Sequence, residues 1–529
     1  MGLRTWIGLG LLAVLLLTVI YDLAQRKHAI LRNFPIIGHF RFWLEAIGPE
    51  LRQYIVTDNN EERPFSRDQR RWIYASAKKQ NNYFGFGTDQ AIDLQPNYII
   101  IKHAAFAPEP TNGAPRAKGE PKRDFHPLNA KKLGGEYPIP CAKVLGSYRD
   151  RAKAFRPDSA VNTSAMSFGS LSAAAVEAIN RGAVLAGCMQ NTGEGGIAPY
   201  HQRGGDLIWQ IGTGYFGCRA KDGGFSRDLF LEAVEANPVR AVEIKLSQGA
   251  KPGLGGVLPA AKVTREISGI RGVPMGQDVI SPSHHRAFCD VDEMLDFVED
   301  LADATGLPIG IKSAIGEDRL WRDLAREMAK GERGVDFITV DGGEGGTGAA
   351  PLVFSDHVAL PFKVAFPRVY RIFAEEGVAE RVVWIGSGKL GFPESAVLAF
   401  SLGCDMVAVG REAMLSVGCI QAQRCHTGRC PTGVATQNRW LMRGLDPTSK
   451  AARFANYIVT LRKELLWLSR ACGEPHPGLV AGDHIDILDD QYTSRSLWDV
   501  FDYEPGWGLP GPPDQRAIRS LMADLDVPH

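Results

Sequence analysis

Residues 382–411 read VVWIGSGKLGFPESAVLAFSLGCDMVAVGR. A β-branched run ends in Gly386, Ser387 and Gly388. An apolar helical stretch follows, and then a second apolar run ends in Gly410 and Arg411, so the segment spells strand, helix, strand. Two glycine turns at neighbouring strand ends can aim backbone N–H groups at one phosphate; a pair of ordinary tight turns is the plain alternative.

The same alternation runs upstream. Short apolar strands are expected at 160–167, 188–196, 206–214, 239–247, 275–282, 308–314, 335–343 and 382–388, separated by stretches such as SLSAAAVEAINRGAVLAG and DVDEMLDFVEDLADATG that carry helical period. Repeated βα units fit either a closed (β/α)8 barrel or an open doubly wound sheet. Nearly every strand here ends in a polar or glycine cluster. A TIM barrel gathers all eight such ends on one face, so an α/β fold of the (β/α)8 type is the expectation.

The 529 residues carry 60 basic and 60 acidic side chains. With no net field, a nucleic-acid partner is excluded. The 58 glycines in a chain that is 44% hydrophobic point to tight turns and close backbone approaches rather than low complexity. The nine cysteines are an odd number. Three of them, Cys419, Cys425 and Cys430, are spaced C-x5-C-x4-C in GCIQAQRCHTGRCPTG, which fits an iron–sulfur cluster in a reducing compartment. Zinc with His426 as fourth ligand, or unmetallated thiols, are the alternatives.

Lys312 lies inside the strand IGIKSA, where a buried ammonium needs a negative partner, and a reduced flavin would supply one. EIKLSQGAKPGLGG puts Lys245 at a strand end, with Gln248 and Lys251 on the glycine-rich loop beyond it. That grouping suits carboxylates, or the polarisation of a carbonyl or imine. Glu194, in NTGEGG, is placed to act as acid or base or to bind an amine. His284 and His285 also end a strand, but neighbouring histidines often only satisfy a loop.

Taken together, SAMSFGSLS, QNTGEGG, EIKLSQGAKPGLGG, VDGGEGGTGAAP and CHTGRCPTGVATQ resemble the FMN-binding synthase domain of glutamate synthase over residues 155–440. The resemblance implies FMN at the barrel mouth, with Met166, Ser167, Gln210, Lys312, Gly342, Gly343, Gly386, Ser387, Gly388, Gly410 and Arg411 at the matching cofactor positions. It also implies a 3Fe-4S cluster on the three cysteines, and 2-oxoglutarate facing Lys245, Gln248, Lys251 and Glu194. The activity implied is an oxidoreductase acting on CH–NH2 groups: reductive amination of 2-oxoglutarate to L-glutamate. The same cofactors could instead serve another amino acid or an N-alkyl glutamate, or a non-catalytic electron-transfer or scaffold role. The chain departs from full glutamate synthases in opening on an apolar segment rather than an amidotransferase, and it shows no convincing GxGxxG nucleotide domain. The expected partners are therefore an external electron donor, such as ferredoxin or a membrane redox protein, and an ammonia source.

The apolar run at 6–21 is about 24 Å long as a helix, slightly short of a bilayer core, and its flanks would have to extend it. A signal peptide is the rival reading, but no small-x-small cleavage site follows. Arg26, Lys27 and Arg32 lie beyond the run and only Arg4 precedes it, so a single-pass membrane protein with a cytoplasmic catalytic domain is expected. The anticipated organisation is an anchor over 1–25 and a leading region over 26–150 containing a Pro/Gly/Lys-rich linker at 107–124. The barrel would occupy 151–440, with the cysteine loop at 419–430, and a helical tail 441–529.

Overall fold

A computed structural model describes residues 2–25, 27–92, 95–107 and 136–526. The linker expected at 107–124 falls outside these residues beyond position 107, as does Arg26. The chain divides into two compact units, Met1–Arg71 and Trp72–His529.

Eight parallel strands dominate the larger unit: β1 (Val161–Thr163), β2 (Gln190–Asn191), β3 (Leu207–Ile211), β4 (Val239–Lys245), β5 (Ile309–Ser313), β6 (Phe337–Asp341), β7 (Val383–Ser387) and β8 (Met406–Val409). They pair in the order β1-β8-β7-β6-β5-β4-β3-β2. Across the remaining gap the Thr163 N–H donates to the Met189 carbonyl at 3.1 Å and the Asn191 N–H to Thr163 Oγ1 at 2.9 Å. One residue from every strand, namely Asn162, Asn191, Ile208, Glu243, Lys312, Thr339, Ile385 and Ala408, lines a single small cavity. Only a sheet curled on itself can do this, so the fold is the (β/α)8 barrel.

One strand expectation needs correcting. The segment 275–282 is not a barrel strand: only Val279–Ile280 is extended, and it pairs antiparallel with Val257–Leu258 in a hairpin. Ile280 and Met275 are exposed, whereas every residue of β8, which takes the eighth place, is buried. A barrel strand covered by helices outside and side chains inside must be apolar on both faces, and MVAV satisfies this where MGQDVISP does not.

The helices begin and end on local signals. Ser172 caps Ala173–Ala186 by accepting from the Ala175 N–H, and Gly187 closes that helix in the left-handed region. Asp290 and Gly306 do the same for Val291–Thr305. The long helix Pro447–Ala471 packs on Ala173–Ala186. The contact is close because Gly182 lacks a side chain: a Cβ there would lie 2.6 Å from the Phe454 ring and 2.7 Å from the Ala451 carbonyl. The C-terminal region is not helical throughout. Ile485–Leu488 and Ser494–Ser496 form a small antiparallel sheet with Ile99–Ile101, so the leading and trailing segments of this unit share one element.

In the smaller unit the first helix runs Leu3–Ala24. Its 22 residues span about 33 Å at 1.5 Å per residue, so the flanks of the apolar run do lengthen it to the thickness of a bilayer core. A signal sequence near an N-terminus has the same character.

Candidate active site

The C-terminal ends of the strands bring two clusters of charge together. In the first, Lys245 at the end of β4 donates to Glu194 Oε1 at 2.7 Å and to Gln248 Oε1 at 2.6 Å. Burial would raise the Glu194 carboxyl, but Lys245 outweighs it, aided by Lys251 and Arg271, and the group is held below the ordinary carboxylate range. Two glycines make room for it: a Cβ on Gly212 or Gly256 would sit 2.5 or 2.6 Å from its oxygens. Lys251 is buried and donates to the Ala349 carbonyl at 3.1 Å. Burial, reinforced by Lys245 and opposed by Glu194, brings its ammonium down to about 8.

Arg271 belongs to the same cluster and was not anticipated. It is 5% exposed and donates to the Phe168 carbonyl at 3.0 Å. It lies 5.1 Å from the Phe216 ring centre, and its Nε has no hydrogen-bond partner among the described residues. Burial pushes it down to about 10 against the pull of Glu194. A signal did exist in the sequence. Arg271 stands four residues after Ile267 in the helix Arg265–Arg271, and both are buried, so a guanidinium occupies the apolar face.

In the second cluster Lys312 Nζ lies 3.5 Å from Asp341 Oδ1 and 3.4 Å from Ser164 Oγ. Asp341 also accepts from the Gly249 N–H at 2.8 Å. Its burial is outweighed by Lys312, then by the Ser387 hydroxyl and Gly249, and its carboxyl is held low. Gly342 N–H donates to the Ser387 carbonyl at 2.8 Å. Gly388 adopts φ +128° against the Gly342 backbone, so 342–343 and 386–388 form one glycine-lined rim. Arg411, beyond Gly410 at the end of β8, donates to the Glu344 carbonyl of the same rim. A Cβ on Gly346 would meet its side chain at 2.6 Å. Met166 and Ser167 lie over the loop after β2, where Gly193 packs on the Ser167 backbone.

Gln210 is carried by β3. It points into the barrel interior, where its amide donates to Glu243 Oε1 at 2.6 Å. Asn191 and Thr339 donate to the same carboxylate at 2.8 and 2.6 Å, making Glu243 a second residue the sequence reading missed. Of the two histidines, His285 is buried with Nε2 2.9 Å from the Lys245 carbonyl and Nδ1 3.2 Å from the Tyr215 hydroxyl. Burial takes it down to about 4, so it is neutral and braces the strand that carries Lys245. His284 is a loop residue beside Ser283.

Cys419, Cys425 and Cys430 sit on one loop. It is fastened by the Tyr74 hydroxyl on the Cys419 carbonyl at 2.8 Å and by Gln437 on the Leu171 carbonyl at 2.8 Å. Burial would raise the Cys430 thiol, but the Ala435 N–H, then the Thr432 hydroxyl and further N–H groups, hold it below the usual value, as a thiolate ligand requires. The buried ammonium of Lys262 opposes the charge of Cys425 and Cys430. Among the described residues, the set of three such side chains converging within 4.8 Å is Cys289, Asp290 and Glu293 on the surface. Three cysteines on one loop could serve as thiolate ligands to a metal centre.

Residues 139–474 match the family described as "Conserved region in glutamate synthase". The chain belongs to the glutamate synthase family. It is 39% identical over 497 residues to the glutamate synthase large subunit-like protein YerD of Bacillus subtilis, covering 90% of this chain and 94% of that one. It is 35% identical over 322 residues to the archaeal glutamate synthase (NADPH) of Methanocaldococcus jannaschii, of whose length it spans 59%. Among solved structures it is similar to a flavocytochrome b2 variant with sulfite bound, at 14% identity and a TM-score of 0.41, covering 90% of this chain and 92% of that one. As a glutamate synthase family member it is an enzyme, an oxidoreductase of the CH–NH2 class.

Proposed function

We propose that the chain binds FMN and a 3Fe-4S cluster and reductively aminates 2-oxoglutarate to L-glutamate. The observation that carries the reading is charge balance at the barrel mouth. Lys245, Lys251 and Arg271 surround the single carboxylate of Glu194, an excess of two positive charges that a dicarboxylate substrate would neutralise.

Lys251 and Arg271 would hold the two carboxylates. Lys245, already donating at 2.7 and 2.6 Å, would turn one N–H to the keto oxygen and polarise it toward attack by ammonia. Glu194, held ionised, would take a proton from ammonium and return it as water leaves to form the imine. His285, neutral and hydrogen-bonded to the Lys245 backbone, keeps that lysine in place.

The cofactor positions fit a flavin. The two contacts of the Lys312 ammonium are both long, leaving it able to face an anionic ring, and the glycine rim at 342–343 and 386–388 with Gly410 and Arg411 suits a phosphate. Met166 and Ser167 would cover the ring, and Gln210 would support it from below. When bound, FMN supplies hydride to the imine carbon and the cluster on Cys419, Cys425 and Cys430 supplies electrons singly. The electron donor would be external, a ferredoxin or membrane redox protein, with ammonia drawn from solution or a partner. The helix Leu3–Ala24 would anchor the enzyme as a single span with the barrel on the cytoplasmic side.

The test is an anaerobic titration of the reduced protein with 2-oxoglutarate and ammonium. Reoxidation of the flavin with glutamate appearing supports the reading. A reduced flavin that ignores both substrates overturns the substrate assignment.

A further inference from the structure

The smaller unit holds a second feature beside its apolar helix. Asp22, near the C-terminal end of Leu3–Ala24, is fully buried. Its carboxylate accepts from the Ile36 N–H at 2.9 Å and lies 2.9 Å from His39 Nε2. This clamp folds the chain back so that the next long helix, Ile37–Leu51, starts beside the end of the first. Gly38 permits the approach, since a Cβ there would lie 3.0 Å from the Leu31 side chain.

From that point the helix shows large apolar side chains to solvent. Ile37 is 76% exposed, Phe40 60%, Trp43 56% and Leu44 40%. Phe40 and Trp43 stack with centroids 5.7 Å apart, and an apolar groove runs between this helix and Ala29–Asn33, with Ile30, Phe34, Ile37 and Leu44 on its walls. Tyr54, Ile55 and Val56 continue the exposure past the helix end. A water-facing helix does not present such a stripe. The surrounding charge is basic: residues 26–56 contain five Lys or Arg and two Asp or Glu.

We propose that residues 34–56 lie in the boundary between headgroups and acyl chains of the bilayer, as an in-plane helix clamped to the span by Asp22. Phe40, Trp43 and Leu44 enter the acyl region, and Arg32 and Arg52 meet anionic headgroups. The occupant of the surface is lipid, and the proposal rests on the reading of Leu3–Ala24 as a membrane span. Continuity argues for lipid over a second protein. A clamp at the end of a spanning helix holds the adjoining helix at the depth of the interface, where Trp and Arg are favoured.

The full-length protein, reconstituted into nanodiscs of phosphatidylglycerol and phosphatidylcholine, would carry photoreactive benzoylphenylalanine singly at Leu12, Phe40, Trp43 or Asp58, and crosslinked products would be read by mass. The expected result is lipid adducts at Leu12, Phe40 and Trp43 and none at Asp58. Adducts at Leu12 with protein crosslinks, or none, at Phe40 and Trp43 would overturn the in-plane helix while leaving the span standing. No lipid adduct at Leu12 would overturn both.

Discussion

Lys245 and Lys312 occupy the same register position on neighbouring strands β4 and β5 of the barrel. Side by side, like charges repel. Here each faces its own carboxylate, Glu194 at 2.7 Å and Asp341 at 3.5 Å. One pair of adjacent lysines is thereby divided between the proposed substrate pocket and the proposed flavin pocket.

Glu194→Gln removes the counter-charge shared by Lys245, Lys251 and Arg271. The pair with Lys245 is partly exposed, so its loss should cost about 2 kcal/mol rather than the larger figure for a fully buried pair. Chemical denaturation should show that loss, and the anaerobic titration should show at least about a hundredfold slower flavin reoxidation. A variant that turns over at the parental rate would remove Glu194 from the proton path.

Lys312→Met tests the other half of the divide. It takes away the cation proposed to face the flavin and leaves the buried Asp341 without the cation that lowers it most. Flavin content should fall, and any flavin retained should show a more negative midpoint potential, because the anionic reduced ring loses its stabilising partner. Lys245→Met should leave the potential and the visible spectrum unchanged while turnover is lost. Were the two variants to give the same spectrum, the separation of roles would fail.

Much of the fold was legible in the sequence. The βαβ unit at 382–411 and the strands ending in EIKLSQG and VDGGEGG sit where the alternation put them, because runs such as VVWIGS are buried on both faces and leave no ambiguity. MGQDVISP misled because a short apolar pair flanked by turn residues looks like a strand end, and only the pairing partner distinguishes a hairpin from a barrel stave. Arg271 and Glu243 escaped for a different reason. A charged residue within an apolar pattern reads as a flaw in the pattern until tertiary structure shows what it faces.

Lys251 sets an expected pH limit. Its ammonium titrates near 8, and the protonated form is the one that can pair a carboxylate. Binding is therefore present below that value and lost as pH rises through it, so kcat/KM for 2-oxoglutarate should fall about tenfold per pH unit on the alkaline side. Lys251→Arg, which stays charged throughout, should abolish that limb. An unchanged limb in the arginine variant would assign it to another group.

The cysteine loop makes a separable prediction. Replacing Cys419, Cys425 or Cys430 singly by serine should abolish the iron–sulfur absorbance and the bound iron and sulfide, while Cys289→Ser, on the exposed surface, should keep all three signals. Bound zinc in the untreated protein, with no inorganic sulfide, would count against the cluster.

Glu243 decides whether the barrel interior depends on a charge or on an acceptor. Its carboxylate takes hydrogen bonds from Asn191 and Gln210 on one oxygen and from Thr339 on the other, all within a 2%-exposed site. Glu243→Gln can orient its carbonyl toward the two amides, while the Thr339 hydroxyl rotates to accept from the new NH2, so both amides keep their acceptor and only the Thr339 proton must find a new one, at a loss of about 1 kcal/mol. Glu243→Leu matches the volume but leaves three buried donors without an acceptor, a loss of about 3–5 kcal/mol. Urea denaturation should rank the variants in that order, with Gln nearly parental. If Gln proves as damaging as Leu, the negative charge itself is required. The cation lining the same cavity, Lys312, would then be held by Glu243 from below as well as by Asp341 from the rim.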